Sequence, residues 1–322
     1  MSFRVLGRQL GRVARARGAH KHPTEPLPLP AREDSSESPG PRAAVTPVIE
    51  AYLRLRSELF DIAIALRPDH SVSVQTDIGP LWLHTEDRVM TPWITHYRSW
   101  EPDEGAFMRS VLQPGMIVLD VGANVGYSSL LCAQAVGGSG WVIAIEPDPA
   151  NHALLCANVW NHVIGNIIPL KAAATSTTHN VPLSRSADNF GDHRAFARAQ
   201  ASEIIEVPGI RLDDVLRPDV RVDFIKIDIQ GTDHRAILGL EQTIGRWHPQ
   251  ILVEFWPVGI EEAGERPLDV LAYYRSLGLS IALLDAPTVP RSAETDVDLV
   301  AEIATADPAF SALVLRVIDR TG

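Results

Sequence analysis

The sequence predicts an α/β fold, in which an N-terminal cap precedes a doubly wound, mostly parallel sheet of seven strands. Two observations predict it. From Gln113 onward, short runs of valine, isoleucine and leucine alternate with segments of helical apolar spacing, which is the rhythm of βαβ units. The chain of 322 residues is 45% hydrophobic and 21% charged, so it can enclose the large core that such a sheet needs.

Each element is predicted from its apolar pattern and from the turn residues that flank it. We expect strands at 117–121, 142–145, 167–172, 204–207, 224–229, 251–255, 280–284 and 312–317. We expect helices at 126–136, 151–161, 233–244 and 267–277. The last strand is expected to pair at the edge of the sheet.

The chain divides into three parts by composition. Residues 1–47 are basic and then rich in Pro, Ser and Glu, which predicts a largely disordered tail. Residues 48–112 hold a helical pattern at 48–66 and a strand-like stretch at 72–83, and we expect them to form the cap. Residues 113–322 form the main α/β domain.

Charge and composition narrow the classes of partner. A formal net charge of −11 and a pI near 5.4 disfavour nucleic acid, because phosphate binding needs clustered Lys and Arg. The only two cysteines, Cys132 and Cys156, lie in apolar helical stretches and predict neither a disulfide nor a zinc site. Apolar runs are too short for stable membrane insertion, and the start lacks a signal-peptide core, so we expect a cytoplasmic protein. The sequence predicts no particular oligomeric state.

The strongest motif is the glycine-bearing turn after the first core strand, Asp120-Val121-Gly122-Ala123-Asn124-Val125-Gly126. Gly122 and Gly126 can adopt positive φ or let a ligand approach the backbone, and the helix that follows offers free amide donors. The next strand ends at Glu146-Pro147, where a carboxylate can accept both ribose hydroxyl hydrogens of an adenosine ligand. The turn lacks the G-x-G-x-x-G spacing that binds a pyrophosphate, which favours S-adenosylmethionine over NAD.

Two further segments complete a family resemblance. They are the run Lys226-Ile227-Asp228 followed by Gly231, and the stretch His248-Pro249-Gln250-Ile251-Leu252-Val253-Glu254. Together with the glycine turn and Glu146, they closely resemble the FkbM-type methyltransferases over residues 101–284. The family usually has Glu where this chain has Gln230, and often a second Glu where it has Asp233. The resemblance implies a class I, Rossmann-like methyltransferase domain that binds S-adenosylmethionine.

The resemblance also implies site residues. The methionine part of the cofactor is expected beside the glycine turn, which comprises Asp120, Gly122, Ala123, Asn124 and Gly126. The ribose is expected at Glu146 and Pro147, and the adenine near Ala173 and Ala174. Asp228, at the carboxyl end of a strand, is expected to face the sulfonium or the acceptor; the alternative is a helix N-cap.

A polar loop at 188–194 supplies the candidate proton acceptor. His193 has an ordinary pKa near 6.5, so it could accept a proton from a substrate hydroxyl, and Asp192 or Asp228 could orient it; a surface histidine without a role is the alternative. No metal is predicted, because the sequence offers only one firm carboxylate for an oxygen-ligand cluster.

The predicted function is an S-adenosylmethionine-dependent O-methyltransferase of secondary metabolism. The resemblance implies small or medium acceptors such as glycolipid sugars and polyketides. An N-methyltransferase acting on a peptide or amine is the first alternative. A cofactor-binding protein without transfer activity and an NAD-dependent oxidoreductase are the others, and the intact turn and its glycine spacing argue against them.

Overall fold

The computed structural model of the protein describes residues 70–162 and 165–318. The tail predicted at 1–47 and the helix predicted at 48–66 lie outside these residues. In chain order the strands are β1 (Ser71–Thr76), β2 (Gly79–His84), β3 (Ile117–Val121), β4 (Trp141–Ile145), β5 (Ile167–Leu170), β6 (Ala173–Ala174), β7 (His179–Arg185), β8 (Glu203–Ile210), β9 (Phe224–Ile227), β10 (Gln250–Phe255), β11 (Leu279–Leu283) and β12 (Ser311–Val317).

Ten α-helices lie within the described residues. They are α1 (Met90–Tyr97), α2 (Pro102–Val111), α3 (Tyr127–Val136), α4 (Pro149–Asn161), α5 (Leu212–Val215), α6 (Asp233–Leu238), α7 (Glu241–Trp247), α8 (Pro257–Glu262), α9 (Pro267–Ser276) and α10 (Asp296–Thr305). No helix within this part of the chain is long and apolar enough to cross a membrane.

Seven strands form the main sheet, in the order β11-β12-β10-β9-β3-β4-β5. Strands β3, β4, β5, β9 and β10 pair in parallel, and β12 runs antiparallel to both of its neighbours. The predicted seven-stranded, mostly parallel sheet is therefore confirmed. Because the carboxyl ends of parallel strands share one edge, β3, β4 and β9 deliver their following turns to a common place.

The predicted position of the last strand is wrong. β12 lies between β10 and β11 rather than at the edge. Its residues 312–315 are all buried. Four consecutive buried apolar residues are typical of a strand covered on both faces, whereas an edge strand leaves a row of backbone groups unpaired. The apolar run at 312–315 therefore indicates an interior position for the last strand.

Both faces of the sheet are covered by helices. In β3, Ile117, Leu119 and Val121 belong to the core that also contains side chains of α6, α7, α9 and α10. Val118 points the other way, into a second core with α2, α3, α4 and the β1–β2 hairpin. This alternation follows from the two-residue period of a strand, and it is what makes the fold doubly wound.

Two predicted elements are placed or divided differently from the expectation. The strand predicted at 204–207 is part of β8, which pairs with β6 and β7 in a separate three-stranded sheet. The helix predicted at 233–244 is split into α6 and α7 around Gly239. A Cβ at Gly239 would collide with the backbone oxygen of Thr175. The glycine therefore lets the segment at Thr175 pass close to the end of α6.

The strand-like stretch predicted at 72–83 is the β1–β2 hairpin. The hairpin packs on α4 through a reciprocal pair of hydrogen bonds. Trp82 donates its amide hydrogen to Oδ1 of Asn158 at 2.7 Å, and Nδ2 of Asn158 donates to the carbonyl of Trp82 at 3.0 Å. The hairpin is therefore attached to the helix that follows Glu146.

Candidate active site

The ends of β3 and β9 approach each other closely because of Gly122. Its φ of 87° is in the left-handed region, and a Cβ there would overlap the backbone oxygen of Asp228. Its amide donates to the carbonyl of Ile145 at 2.9 Å, which ties the turn to the end of β4 as well. A glycine is required here for both reasons, conformation and space.

Glu146 follows β4 and lies at the bottom of a cleft. Its side chain accepts hydrogen bonds from the amides of Asn124 and Asp148, each at 2.8 Å, so both carboxylate oxygens are held in place. The residue is buried, and this burial raises the pKa of Glu146 to about 8 despite the two amide donors. A fixed carboxylate at this strand end suits the ribose-binding role that the sequence predicts.

The first cavity, which we call the cofactor cleft, has an empty volume of about 500 Å³. It brings together eight of the residues predicted for the site: Gly122, Asn124, Glu146, Pro147, Ala173, Ala174, His193 and Asp228. These residues come from the turns after β3, β4 and β9, from β6 and from the 188–194 loop. The cleft is thus at the carboxyl edge of the sheet, where the fold predicts ligand binding.

Three predicted cofactor residues do not line the cofactor cleft. Asp120 is fully buried below the turn and accepts a hydrogen bond from Oγ of Ser129 at 2.5 Å. Gly126 precedes α3 with a φ of 95°, and a Cβ there would lie 2.6 Å from Cδ1 of Leu155. Ala123 lines a second cavity instead. Asp120 and Gly126 therefore shape the turn rather than face the cleft.

The cap and the 188–194 loop close one side of the cleft together. The amide of Phe190 donates to Asp87 at 2.7 Å, and the carbonyl of Phe190 accepts from Nδ2 of Asn124 at 3.0 Å and from Nδ2 of Asn151 at 2.9 Å. Asp87 also accepts from the amides of Val89 and Thr91. Sequence reasoning missed Asp87, because nothing near it in the chain indicates a partner about a hundred residues away.

His193 is inside the molecule. Its side chain is 4% exposed, its Nδ1 accepts a hydrogen bond from the amide of Ser186 at 3.1 Å, and its Nε2 lies 3.9 Å from Oδ2 of Asp148. Burial lowers the pKa of His193, so the ring is neutral near pH 7. With Nδ1 accepting, the single ring proton is on Nε2, the nitrogen that lies near Asp148.

Asp192 forms its ion pairs with two arginines. Its carboxylate pairs with Nε of Arg194 at 2.6 Å and with Arg198 at 3.4 Å, and it lines neither cavity. Arg194 also pairs with Glu262 and lies over the ring of Trp256, 4.2 Å from its centroid. The Asp192–Arg194 pair therefore fastens the loop to the turn before α8.

Asp228 lines both cavities and is not a helix N-cap. It accepts hydrogen bonds from Nζ of Lys226 and from Nε2 of Gln230, each at 2.9 Å. The loop before α6 is held instead by Asp233, which accepts from the amides of Ile229 and Gly231. Gln230 has a φ of 58°, an uncommon conformation for a residue with a side chain, at the junction of the cavities.

The second cavity, which we call the acceptor cavity, has an empty volume of about 810 Å³. It shares five lining residues with the cofactor cleft: Gly122, Asn124, Gly191, Asp228 and Gln230. Its remaining walls include the apolar or aromatic side chains of Met90, Trp100 and Phe310 and the charged side chains of Glu101, Lys226 and Glu254. The two cavities are neighbours across the glycine turn and the end of β9.

Sequence reasoning missed most of the charged groups of the acceptor cavity. Lys226 is 4% exposed and lies 3.7 Å from both Glu101 and Glu104, in addition to its contact with Asp228. The available signal was Lys226 itself, since a lysine in a strand of otherwise apolar residues needs a charged partner when buried. Within 70–162 and 165–318, no group of His, Cys, Asp and Glu is arranged to hold a metal ion.

The parallel sheet, the glycine turn and the fixed strand-end carboxylate define an α/β enzyme domain that binds an adenosine-containing cofactor at its carboxyl edge. The model of the family described as the methyltransferase FkbM domain matches residues 120–281, half of the chain. The chain therefore belongs to the FkbM methyltransferase family. It is a methyltransferase, and its cofactor is S-adenosylmethionine.

Individual proteins that are similar to this chain share only a low sequence identity with it. Methyltransferase sdnD of Sordaria araneosa is 24% identical over 182 residues, which is 47% of this chain and 68% of that protein. The crystal structure of methyltransferase FkbM from Methylobacillus flagellatus KT is 16% identical with a TM-score of 0.41. That alignment covers 66% of this chain and only 50% of the relative. M. jannaschii TYW2, solved in complex with AdoMet, is 14% identical with a TM-score of 0.41, over 77% of this chain and 84% of that one.

The residues of the cofactor cleft fit S-adenosylmethionine. Glu146 is a buried carboxyl group at the position predicted for the ribose, and Ala173 and Ala174 are buried apolar residues at the position predicted for the adenine. His193 also lines the cleft, and its buried Nε2 has no hydrogen-bond partner among the described residues. An acidic group and an apolar wall at these two positions are compatible with a ribose diol and an adenine base.

Proposed function

We propose that the protein transfers a methyl group from S-adenosylmethionine to a hydroxyl oxygen of a small or medium acceptor, such as a glycolipid sugar, a polyketide or another secondary metabolite. The observation that carries this proposal is the acceptor cavity. It opens beside the cofactor cleft and shares Asp228 and Gln230 with it, so an acceptor bound there has access to the cofactor.

The chemistry needs little beyond alignment. The cofactor supplies a methyl group that is already activated by its positive sulfur. The protein's part is to bind the acceptor in line with that group and to keep water away. Trp100 and Phe310 supply apolar walls, and Asp228 lines both cavities. We propose that Asp228 contacts the sulfonium or the acceptor, as predicted. The roles predicted for His193 and Asp192 stay predictions.

The wall of the acceptor cavity also bears on the class of acceptor. Its lining contains the carboxylates of Glu101, Asp228 and Glu254, and Lys226 is the one cation among the described lining residues. Three acidic groups around one lysine offer no excess of positive charge for a phosphate or carboxylate group, so the lining favours uncharged or basic acceptors. This supports the expectation that nucleic acid is not the substrate. An amine on a peptide or small molecule is the second candidate, because a carboxylate-lined cavity also suits nitrogen.

The test is transfer of an isotopically labelled methyl group from S-adenosylmethionine to two acceptor panels that share their carbon skeletons, one with hydroxyl groups and one with amines. The account predicts label on the hydroxyl panel. Label confined to the amine panel would replace the proposal by its second candidate. If the protein binds the cofactor and labels neither panel nor a phosphorylated panel, a binding protein without transfer activity becomes the better description.

A further inference from the structure

Four carboxyl groups and a single ammonium group form a cluster beside the acceptor cavity. Three of them lie within reach of Nζ of Lys226: Asp228 at 2.9 Å, and Glu101 and Glu104 at 3.7 Å each. The fourth, Glu254, has no cation among its described partners. Its two oxygens accept from the neutral amide of Gln230 at 3.3 and 3.2 Å. Glu254 is therefore the carboxylate of this cluster whose negative charge Lys226 does not balance.

The charges that face Glu254 come from every element around it. They are Asp228 at the end of β9, Asp233 at the start of α6, Glu101 before α2 and Glu104 within α2, with Lys226 on β9 as the single cation and Asp120 on β3 beyond it. Buried like charges at such spacing do not all ionise together. Burial, and then repulsion by Asp228, Asp233, Glu101 and Glu104, raise the pKa of Glu254 well above its usual range. The free protein therefore favours the protonated form of Glu254.

We propose that Glu254 takes the acceptor's proton during methyl transfer, and that binding of the positively charged cofactor first removes the proton it holds in the free protein. The proposal rests on the proposed function. Asp228 and Gln230 line both cavities, and Gln230 donates hydrogen bonds to the carboxyl groups of both Asp228 and Glu254. The positive charge of a cofactor held next to these residues offsets the repulsion that keeps Glu254 protonated. The base is then ready only when the cofactor is present.

The step balances without any further reactant. The acceptor oxygen forms its bond to the methyl carbon, the bond between that carbon and sulfur breaks with its electron pair left on sulfur, and the hydroxyl proton goes to the Glu254 carboxylate. Glu254 lines the acceptor cavity, whereas His193 lines only the cofactor cleft, and its Nδ1 already accepts a hydrogen bond from the amide of Ser186. The geometry therefore favours Glu254 over His193 as the proton acceptor.

Titration calorimetry tests this without an acceptor. Binding is measured near pH 7 in phosphate and in Tris, whose ionisation enthalpies differ, so the difference in heat counts the protons released. We expect S-adenosylmethionine to release about 0.3–1 proton more than S-adenosylhomocysteine, which lacks the positive sulfur but shares every other titrating group. In Glu254→Gln this excess disappears, while the exposed surface control Glu261→Gln keeps it.

The outcomes separate the two claims. If both ligands bind to the wild type with equal proton release, the proposal is wrong and the proposed function is untouched; this comparison needs no variant to fold. An excess that persists in a folded Glu254→Gln assigns the proton to another group and also overturns it. If S-adenosylmethionine does not bind at all, the proposed function fails with it. Once an acceptor is found, Glu254→Gln should lower turnover about 10²–10⁴-fold, and unchanged turnover would contradict the proposal.

Discussion

The two cavities of the active site are built by opposite means. The cofactor cleft is made from short, contiguous segments at strand ends, and its Glu146 carboxylate is fixed by backbone amides of neighbouring turns. The acceptor cavity collects charged side chains from distant parts of the chain around Lys226. The comparison teaches that cofactor binding depends on local backbone geometry, whereas acceptor chemistry depends on tertiary charge balance.

The largest effect is expected where the two cavities meet. Gly122→Ala places a methyl group against the backbone oxygen of Asp228 and forces a side chain into a φ of 87°. We expect a loss of about 4 kcal/mol or more in the free energy of unfolding, measured by chemical denaturation. Gly138→Ala is the control, because nothing lies within 4 Å of its added Cβ; it should change stability by less than about 1 kcal/mol. Equal effects at both sites would contradict the close approach of β3 and β9.

Lys226→Met tests the charge balance of the acceptor cavity. Without the ammonium, Asp228, Glu101 and Glu104 lose their shared cation, so we expect a loss of about 3 kcal/mol in the free energy of unfolding near pH 7. The loss should shrink as the pH is lowered, because the raised pKa values of Glu101 and Glu104 let these groups take up protons first. Denaturation curves across the acidic range provide the measurement. A loss that is independent of pH would mean that packing, not charge, is what Lys226 supplies.

Glu146→Gln tests the cofactor side alone. The variant removes the charge that accepts two ribose hydroxyl hydrogens, so affinity should fall by about 1.5–3 kcal/mol. The probe is methylthioadenosine, which has the ribose and adenine but no amino acid group that titrates. Since only the ionised form of Glu146 accepts both hydrogens, and its pKa is about 8, wild-type affinity should rise with pH up to about 8.

The measurement is the slope of methylthioadenosine affinity against pH in the wild type and in Glu146→Gln. Below pH 8 the wild type is expected to lose up to about tenfold in affinity for each unit of pH, and Glu146→Gln should be flat. A wild type without pH dependence would show that Glu146 is already ionised in the free protein.

The smallest effect is expected for His193→Ala. A neutral donor to the cofactor contributes about 0.5–1.5 kcal/mol, so we expect cofactor affinity to fall roughly threefold to tenfold. If His193 is instead the proton acceptor that the sequence predicts, turnover falls about 10²–10⁴-fold and cofactor affinity stays unchanged. Binding and turnover measured on the same variant therefore decide between its two roles.

The contrast between the cavities also explains what the sequence could predict. The turn at Gly122 and the strand-end Glu146 were predictable because their function is encoded in consecutive residues of a βαβ unit. Glu101 and Glu254 were not, because their place in the lining of the acceptor cavity depends on how α2 and β10 pack against β9. The sheet was also predicted, but the pairing of β12 with β10 and β11 was not. The apolar run of β12 indicates an interior strand, but it does not say which strands are its neighbours.

Titration calorimetry of the wild-type protein with S-adenosylmethionine, with NAD as the comparison ligand, tests the central claim most directly. The account predicts one-to-one binding of S-adenosylmethionine that is weakened in Glu146→Ala, and no binding of NAD, because the turn at Gly122 provides no pyrophosphate site. Binding of NAD with no binding of S-adenosylmethionine would contradict it.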